Sequence, residues 1–209
     1  MNKRPIKNNY KVALEKGWEE LLKKDPEVVA KSMNVTYLAE EKRFIVPHLN
    51  EEYIVDCIDK NIRKKDEAFP VEDINLSILI LHYLSFFTEE KPLLNKWVSL
   101  KEIPNGGVLF YPAFYKDSIL KLLKYFGRDS KLFIKCAKKI GGCLGPFGTT
   151  SAVFRLFPKI PVCVVIWEGD EELPANASIL FDLSISYFLH IESIIGVSYY
   201  LIERLIHSI

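Results

Sequence analysis

Several carboxylates follow one strongly apolar segment of the chain and could do chemistry together. Residues 162–167 read Val-Cys-Val-Val-Ile-Trp, which predicts a strand buried on both faces. The acids that follow it are Glu168, Asp170, Glu171, Glu172 and, further on, Asp182. Loops at strand ends often hold functional groups, because the sheet fixes their position and leaves them accessible. Carboxylates that converge there could hold a hard cation such as Mg²⁺ or act as an acid–base pair.

We take Asp170, Glu171 and Asp182 as the candidate catalytic residues and as the candidate ligands of a divalent cation. A structural interpretation stays open beside this one. Gly169 and Asp170 could form a turn, and the acids could cap a helix that follows, where negative charge complements the positive helix start. The sequence alone does not decide between a site and a cap.

A second set of residues could bind a flat cofactor. His82 lies within an apolar helical segment, and its imidazole could be an axial ligand to the metal of a haem or a corrinoid. Aromatic side chains beside a glycine turn could line a pocket for a planar ligand. The cofactor-binding candidates are His82, Trp97, Gly106, Gly107, Tyr111 and Trp167. The alternative is that the rings and the histidine belong to the core.

The remaining motifs argue against common enzyme classes. The glycine-rich residues 141–150 follow a predicted helix rather than a strand and contain no lysine, so they do not match a nucleotide-binding P-loop. The four cysteines are widely spaced, which is unlike the clustered thiolates of zinc or iron–sulfur sites. No serine-hydrolase, zinc-protease or kinase motif is present. These classes are therefore not expected.

The elements that must position these residues can be predicted from periodicity. Residues 9–24 predict an amphipathic helix, and residues 35–69 predict an antiparallel meander of three or four short strands, with His48 in a solvated turn. Residues 74–87 are apolar on nearly every side, which predicts an enclosed helix. Residues 97–100 predict a further strand.

The second half of the chain predicts a strand pair and three more helices. The strands flank residues 158–161, and the helices cover about residues 112–126, 129–140 and 191–207. We therefore predict a single α+β domain over residues 1–209. It has a short antiparallel meander and a second strand pair, packed with five to six helices.

Composition limits the expected partners and location. Lys and Arg total 28 and Asp and Glu total 27, so the net charge of +1 gives no long-range attraction to nucleic acid. No apolar run approaches the roughly 20 residues that span a bilayer. The basic N-terminal residues 1–5 have no apolar stretch behind them, so no signal peptide is predicted. We expect a soluble, cytoplasmic protein without nucleic-acid or membrane partners.

The order of several short motifs resembles a known family. Phe-Pro-Lys-Ile-Pro at residues 157–161 is followed by Trp-Glu-Gly-Asp-Glu-Glu-Leu-Pro-Ala at residues 167–175 and Leu-Phe-Asp at residues 180–182. This order resembles the domain of unknown function 3786 family, found mostly in anaerobic bacteria and archaea. Further similar positions are residues 9–16, 81–84, 96–97, 106–107, 125–127 and 141–142. The resemblance implies a fold and a set of positions, but no reaction.

Three functions remain open at this point. Some members of the family carry a four-cysteine iron–sulfur module of the kind seen beside corrinoid enzymes, and no such motif occurs in this sequence. The resemblance therefore implies an accessory module of anaerobic metabolism that binds a small-molecule cofactor, such as a tetrapyrrole or corrinoid, or a partner protein of a cofactor-dependent system. The first alternative is a small enzyme that uses Asp170, Glu171 and Asp182, with or without a divalent cation. The second alternative is a protein–protein adaptor.

Overall fold

The computed structural model describes residues 4–87 and 89–209. Met1, Asn2 and Lys3, which belong to the basic segment for which no signal peptide is predicted, lie outside the described residues. The helices are α1 (Arg4–Leu22), α2 (Pro26–Met33), α3 (Ile74–Ser85), α4 (Gly107–Phe114), α5 (Leu120–Phe126), α6 (Ser130–Lys139) and α7 (Ile191–His207). The strands are β1 (Thr36–Leu38), β2 (Arg43–His48), β3 (Glu51–Asp56), β4 (Asn61–Lys64), β5 (Trp97–Ser99), β6 (Cys143–Leu144), β7 (Thr150–Phe157), β8 (Ile160–Trp167) and β9 (Asn176–Asp182). The predicted α+β class is confirmed.

The first sheet is the predicted meander, with the strand order β1-β2-β3-β4 and antiparallel pairing throughout. Along β2, Phe44, Val46 and His48 are buried and alternate with half-buried residues, as expected when one face of a strand covers a core. His48 is therefore the last inward-facing residue of β2. The prediction of a solvated turn at His48 is wrong, because the period-two pattern continues through it.

The second sheet is larger than the predicted strand pair. Its five strands have the order β5-β9-β8-β7-β6, and each neighbouring pair is antiparallel. β8 is the central strand, and its residues from Val162 to Ile166 are fully buried, in agreement with its continuous apolar sequence. The predicted hairpin at residues 158–161 joins β7 to β8.

The segment after the acidic loop is a strand and not the helix that the capping interpretation required. In β9, Ala177, Ile179 and Phe181 are buried while Ser178 and Leu180 are only partly buried. This alternation has the period of a strand. The strand also pairs with β8 and β5 along its two edges, so its backbone groups find partners in the sheet.

Helix α3 packs against both α1 and α7. Gly17 of α1 lies so close to Leu81 of α3 that a Cβ at Gly17 would lie 3.0 Å from the Cβ of Leu81. Helix α3 buries Leu79, Ile80, Leu81, Tyr83 and Leu84, as its apolar sequence predicts. In the part of the chain that the structure describes, no helix is both long enough and apolar enough to cross a lipid bilayer.

The segment predicted as one helix from about residue 112 starts earlier. It runs through α4, a π-helical turn at Tyr115–Ile119, and α5, without a break in the helical backbone. When these segments are counted as one helix, the described residues contain six α-helices, which is the upper end of the predicted range of five to six. The helix begins at Gly107 because Gly106, with φ of +126°, turns the chain into its first residue.

Candidate functional site

The acidic loop after β8 is a tight turn held by its own backbone. The carboxylate of Asp170 accepts hydrogen bonds from the backbone N–H groups of Glu172 at 2.9 Å and Leu173 at 2.8 Å. These two bonds lower the pKa of Asp170. Asp170 and Glu171 are both exposed to solvent. The loop therefore has the local hydrogen bonds of a turn, and Asp170 uses its acceptor oxygens within it.

Asp182 lies at the opposite end of the same strand pair. In the β8–β9 pairing Trp167 is opposite Asn176, at the end where Asp170 follows, whereas Val162 is opposite Phe181. Six residue steps of extended strand lead from Asn176 to Asp182, which corresponds to about 20 Å. The expected convergence of Asp170, Glu171 and Asp182 is thus not found, because the intervening segment is extended and not coiled into a helix.

The carboxylate of Asp182 is instead a buried structural acceptor. It is 3% exposed and accepts backbone N–H bonds from Leu94 at 3.0 Å, Lys96 at 3.2 Å and Ser184 at 3.0 Å. Burial alone would raise the pKa of Asp182, but the hydrogen bonds from Ser184 and the 94–95 backbone outweigh it and lower the pKa. Asp182 therefore fixes the approach to β5 and the 3₁₀ turn after β9.

The described residues contain no cluster of three or more His, Cys, Asp or Glu side chains that could hold a metal ion. The structure does not bring the predicted ligands Asp170, Glu171 and Asp182 together. Two of its members lie in an exposed loop, and the third has its oxygens engaged by backbone N–H groups at the far end of the strand. The turn that the capping interpretation placed at Gly169 and Asp170 is present, with Asp170 as the acceptor of two backbone N–H groups, and Asp182 is separately the N-cap of the 3₁₀ turn Leu183–Tyr187.

His82 lies between α3 and the start of α7. Its Nδ1 is 2.8 Å from the hydroxyl of Ser193, which is buried. Burial lowers the pKa of His82, and the nearby His190 and Lys16 add to the shift. The side chain is half-buried and neutral at physiological pH, as an axial ligand must be, but its bond to Ser193 equally fits a packing role.

The two glycines at 106 and 107 serve the start of α4. Gly107 is buried, and a Cβ at this position would overlap the carbonyl oxygen of Leu100. A Cβ at Gly106 would contact the ring of Phe110 at 3.3 Å and Ile191 of α7 at 3.9 Å. Both glycines are therefore explained by close approach of the backbone to its surroundings.

The three aromatic candidates do not share one pocket. Trp97 is opposite Asp182 in β5, and Trp167 is opposite Asn176 at the other end of β9. They are separated by the length of that strand. Tyr111 lies on α4 beneath the ammonium group of Lys101, whose nitrogen is 4.0 Å from the ring centroid. Of the predicted cofactor residues, Gly106, Gly107 and Tyr111 lie together at and within α4.

A groove of about 410 Å³ opens elsewhere, between the end of α1 and the first sheet. We call it the α1–β2 groove. Its apolar lining includes Leu21, Leu22, Tyr37, Phe44, Cys57 and Ile58. The rings of Tyr37 and Phe44 are in contact, with centroids 4.8 Å apart, and Ile58 is 64% exposed. Phe44 is buried beneath the groove, so the apolar surface that reaches solvent comes from Leu22, Ile58 and the half-buried ring of Tyr37.

Two lysines also line the α1–β2 groove. Lys24 donates to the carbonyl oxygen of Phe87 at 3.0 Å, and neither Lys24 nor Lys42 has a carboxylate partner at ion-pair distance among the described side chains. Burial raises the pKa of the Cys57 thiol to about 11, and nearby Asp56 adds to this shift. Cys57 is thus a neutral thiol at physiological pH.

A buried polar cluster joins the first sheet to α7. His48 is 1% exposed and is surrounded by the rings of Tyr53, Phe157 and Tyr200, at centroid distances of 5.9, 4.9 and 5.3 Å. Neither of its ring nitrogens has a hydrogen-bond partner in the described structure, although the backbone of Leu156 lies nearby. Burial lowers the pKa of His48 to about 4.

Glu51 lies beside this histidine and binds a hydroxyl group and two cationic side chains. It accepts from the Tyr53 hydroxyl at 2.7 Å and from Lys64 at 2.9 Å, and its Oε1 is 3.5 Å from Arg204 of α7. Sequence reasoning missed this cluster. The signal that could have found it is the alternation Phe44, Val46, His48, since a histidine at an inward-facing position of a strand must be buried.

Comparisons with known proteins give one match. A family model described as domain of unknown function 3786 matches residues 25–204. No curated protein and no solved structure matches the chain.

Proposed function

We propose a function on the premise that this chain belongs to the domain of unknown function 3786 family. In this proposal the protein is a non-catalytic accessory module of anaerobic metabolism, and it binds a small-molecule cofactor in the α1–β2 groove. The observation that carries the proposal is the groove itself, an open concave surface whose accessible lining includes Leu22, Tyr37, Ile58 and two lysines. Its volume of about 410 Å³ lies within the usual range of small-molecule sites.

The chemistry of the lining favours a flat, apolar ligand with acidic side chains. The half-buried ring of Tyr37 and the exposed side chains of Leu22 and Ile58 offer contact area to a planar ring system, while Phe44 lies beneath them in the core. Lys42 and Lys24 supply positive charge for carboxylates. A tetrapyrrole with propionate groups has this chemistry. A corrinoid whose acids are converted to amides lacks the charges, so we expect it to bind more weakly.

The mode of binding follows from the groups in the groove. The lining contains no histidine, and the thiol of Cys57 stays protonated because burial raises its pKa. A tetrapyrrole in this groove is therefore held by its ring face and its carboxylates and not by a ligand to its metal. Metal-free protoporphyrin IX and haem should then bind with similar affinity. This expectation separates the groove from a site at His82, where haem alone would gain a nitrogen ligand.

The enzymatic alternative receives no support from the geometry. Asp170 and Asp182 are at opposite ends of β9, and the oxygens of both are engaged by backbone N–H groups. General acid–base catalysis needs both groups within reach of one substrate. The accessory role is accordingly the better supported proposal.

Absorbance and fluorescence titrations of the full chain with protoporphyrin IX, haem and cobalamin test the proposal. The substitutions Ile58→Asp and Lys42→Glu change exposed positions of the groove, and each should weaken porphyrin binding about tenfold or more through lost apolar contact or lost charge pairing. Leu144→Asp, at a residue that is 66% exposed on β6, is the matched control.

The outcomes are distinct. Saturable binding of both porphyrins that is lost in the groove variants and kept in Leu144→Asp supports the proposal. If haem alone binds and His82→Ala abolishes this binding, the site is at His82 on α3 and not in the α1–β2 groove. The absence of saturable binding of any of the three compounds overturns the proposal.

A further inference from the structure

Helix α4 exposes far more apolar surface than its sequence predicts. Its eight residues, Gly-Val-Leu-Phe-Tyr-Pro-Ala-Phe, are apolar on all sides, which is typical of a buried helix. Only Gly107 and Phe114 are buried. Val108 is 69% exposed and Leu109 is 78% exposed. Contiguous exposed apolar surface on a protein usually marks an interaction site.

The exposed residues form one face, which we call the α4 face. It consists of Val108, Leu109, Pro112, Ala113 and Leu120. Residues 108 and 112, 109 and 112, and 109 and 113 are neighbours on the helix surface because three or four positions separate them. Leu120, at the start of α5, is 45% exposed and extends the face beyond the π-helical turn. The face is separate from the α1–β2 groove in its residues and its elements.

Lysines accompany this face. Lys116 is exposed and lies one turn after Pro112, between the apolar residues of α4 and Leu120. The nitrogen of Lys101 is over the ring of Tyr111 at 4.0 Å, and that of Lys124 is 5.4 Å from the ring of Tyr125. None of these three has an ion-pair partner among the described side chains, whereas Lys121 pairs with Glu203 at 2.6 Å.

The acids beside the face do not balance this charge. Glu102 is engaged by Ser99, whose backbone N–H and hydroxyl lie 2.8 and 2.9 Å from its carboxylate. Asp117 is the exposed acid of the π-helical turn. The hydrogen bonds from Ser99 leave Glu102 ionised, so three lysines stand against two carboxylates at this apolar surface. The remaining positive charge is complementary to an apolar segment that carries negative charge.

We infer that the α4 face docks an acidic amphipathic helix of a partner protein, with apolar side chains against Leu109 and Pro112 and a carboxylate at Lys116. Helices of this kind bind other proteins through apolar residues at spacings of three and four. The flanking carboxylates of the partner helix meet Lys101 and Lys124. This inference goes beyond the proposed cofactor site and does not depend on it.

Two other occupants fit the face less well. A flat anionic bilayer would have to bury the ammonium group of Lys116, which stands within the apolar face and not at its edge. A second copy of the chain, paired through the same face, would bring Lys101, Lys116 and Lys124 against the same lysines of its partner. A partner helix with carboxylates avoids both costs.

Fluorescence anisotropy with the full chain tests the inference. The probe is a labelled helical peptide with leucines at spacings of three and four and glutamates on both flanks, and the control peptide has each glutamate replaced by lysine. We expect saturable binding of the acidic peptide only. Leu109→Ser and Lys116→Glu should each weaken it about tenfold, from lost apolar contact and from charge reversal.

Controls separate the alternatives. Leu144→Ser changes an exposed leucine on β6 and should bind the acidic peptide as the unchanged chain does. Unchanged thermal unfolding midpoints of the variants establish that they are folded. The absence of saturable binding of the acidic peptide, equal binding of the acidic and basic peptides, binding to phosphatidylglycerol vesicles in place of the peptide, or self-association that Leu109→Ser abolishes would each overturn the inference.

Discussion

The imidazole of His48 packs edge-on against the ring of Tyr200, with ring centroids 5.3 Å apart and planes at 61°. This contact joins the hairpin of β2 and β3 to helix α7. It is part of a cluster in which Glu51 and Tyr53 face the histidine from β3, Phe157 from β7, and Arg204 from α7. A neutral histidine is thus part of the packing between the first sheet and the last helix.

The burial of His48 predicts that the protein loses stability in mild acid. Unfolded histidine takes up a proton near pH 6.5, whereas burial holds the pKa of folded His48 at about 4. Between these values the unfolded state binds the extra proton, so the free energy of unfolding falls as the pH drops, by roughly 3 kcal/mol over the whole window. Urea unfolding at pH 7 and pH 4.5 measures this loss.

A matched variant assigns the pH dependence to His48. His48→Phe keeps an aromatic ring in the cluster but removes the titrating group. Its free energy of unfolding should change much less between pH 7 and pH 4.5 than that of the unchanged chain. An equal loss in both proteins would show that other groups cause it.

The two aspartates at the ends of β9 should differ in their effect on stability. In Asp182→Asn, an amide replaces a buried carboxylate that accepts several hydrogen bonds, so the free energy of unfolding should fall by about 1–3 kcal/mol. In Asp170→Asn, an amide oxygen can still accept in the exposed turn, and a change within about 0.5 kcal/mol is expected. Chemical denaturation of both variants measures the difference, and equal effects would contradict the assigned roles.

Two helical glycines should respond in opposite ways to alanine. Gly107→Ala forces a Cβ against the carbonyl oxygen of Leu100, so it should destabilise the protein by about 2 kcal/mol or more. Gly196 lies in the interior of α7, and a Cβ there meets Leu79 at an ordinary contact distance of 3.5 Å. Gly196→Ala should therefore stabilise by about 0.5–1 kcal/mol. Thermal unfolding midpoints of the two variants check both signs.

The four thiols should react with a disulfide reagent at clearly different rates. Cys143 is exposed, Cys57 is half-buried and Cys136 and Cys163 are buried. Burial raises the pKa of Cys57 and Cys163 to about 11, so little thiolate is present at pH 8. We expect one fast thiol, which Cys143→Ser removes.

The reaction of Cys57 also reports on the groove. Its slow labelling should become slower still when protoporphyrin IX is bound, while the labelling of Cys143 should not change. Mass spectrometry of the labelled peptides separates the two sites. Protection of neither cysteine at saturating porphyrin would place the bound ligand outside the α1–β2 groove.

The sequence determined the class of the fold and most of its elements, because these follow from local periodicity. The apolar residues of α3 and β8, the alternation in the first meander, and the apolar stripe of α7 each predicted an element that the structure contains. Asp25 and Asp129 are the N-caps of α2 and α6, and their side chains accept backbone N–H bonds from residues two or three positions on. These features depend on neighbours in the chain.

Only the tertiary structure decided which polar residues meet. β9 is a strand because β8 and β5 pair with its two edges, and this extension carries Asp182 about 20 Å from the acidic loop. His48 is buried because β7 and α7 cover the end of β2. Both outcomes depend on contacts between residues far apart in the sequence, which no local pattern of side chains records.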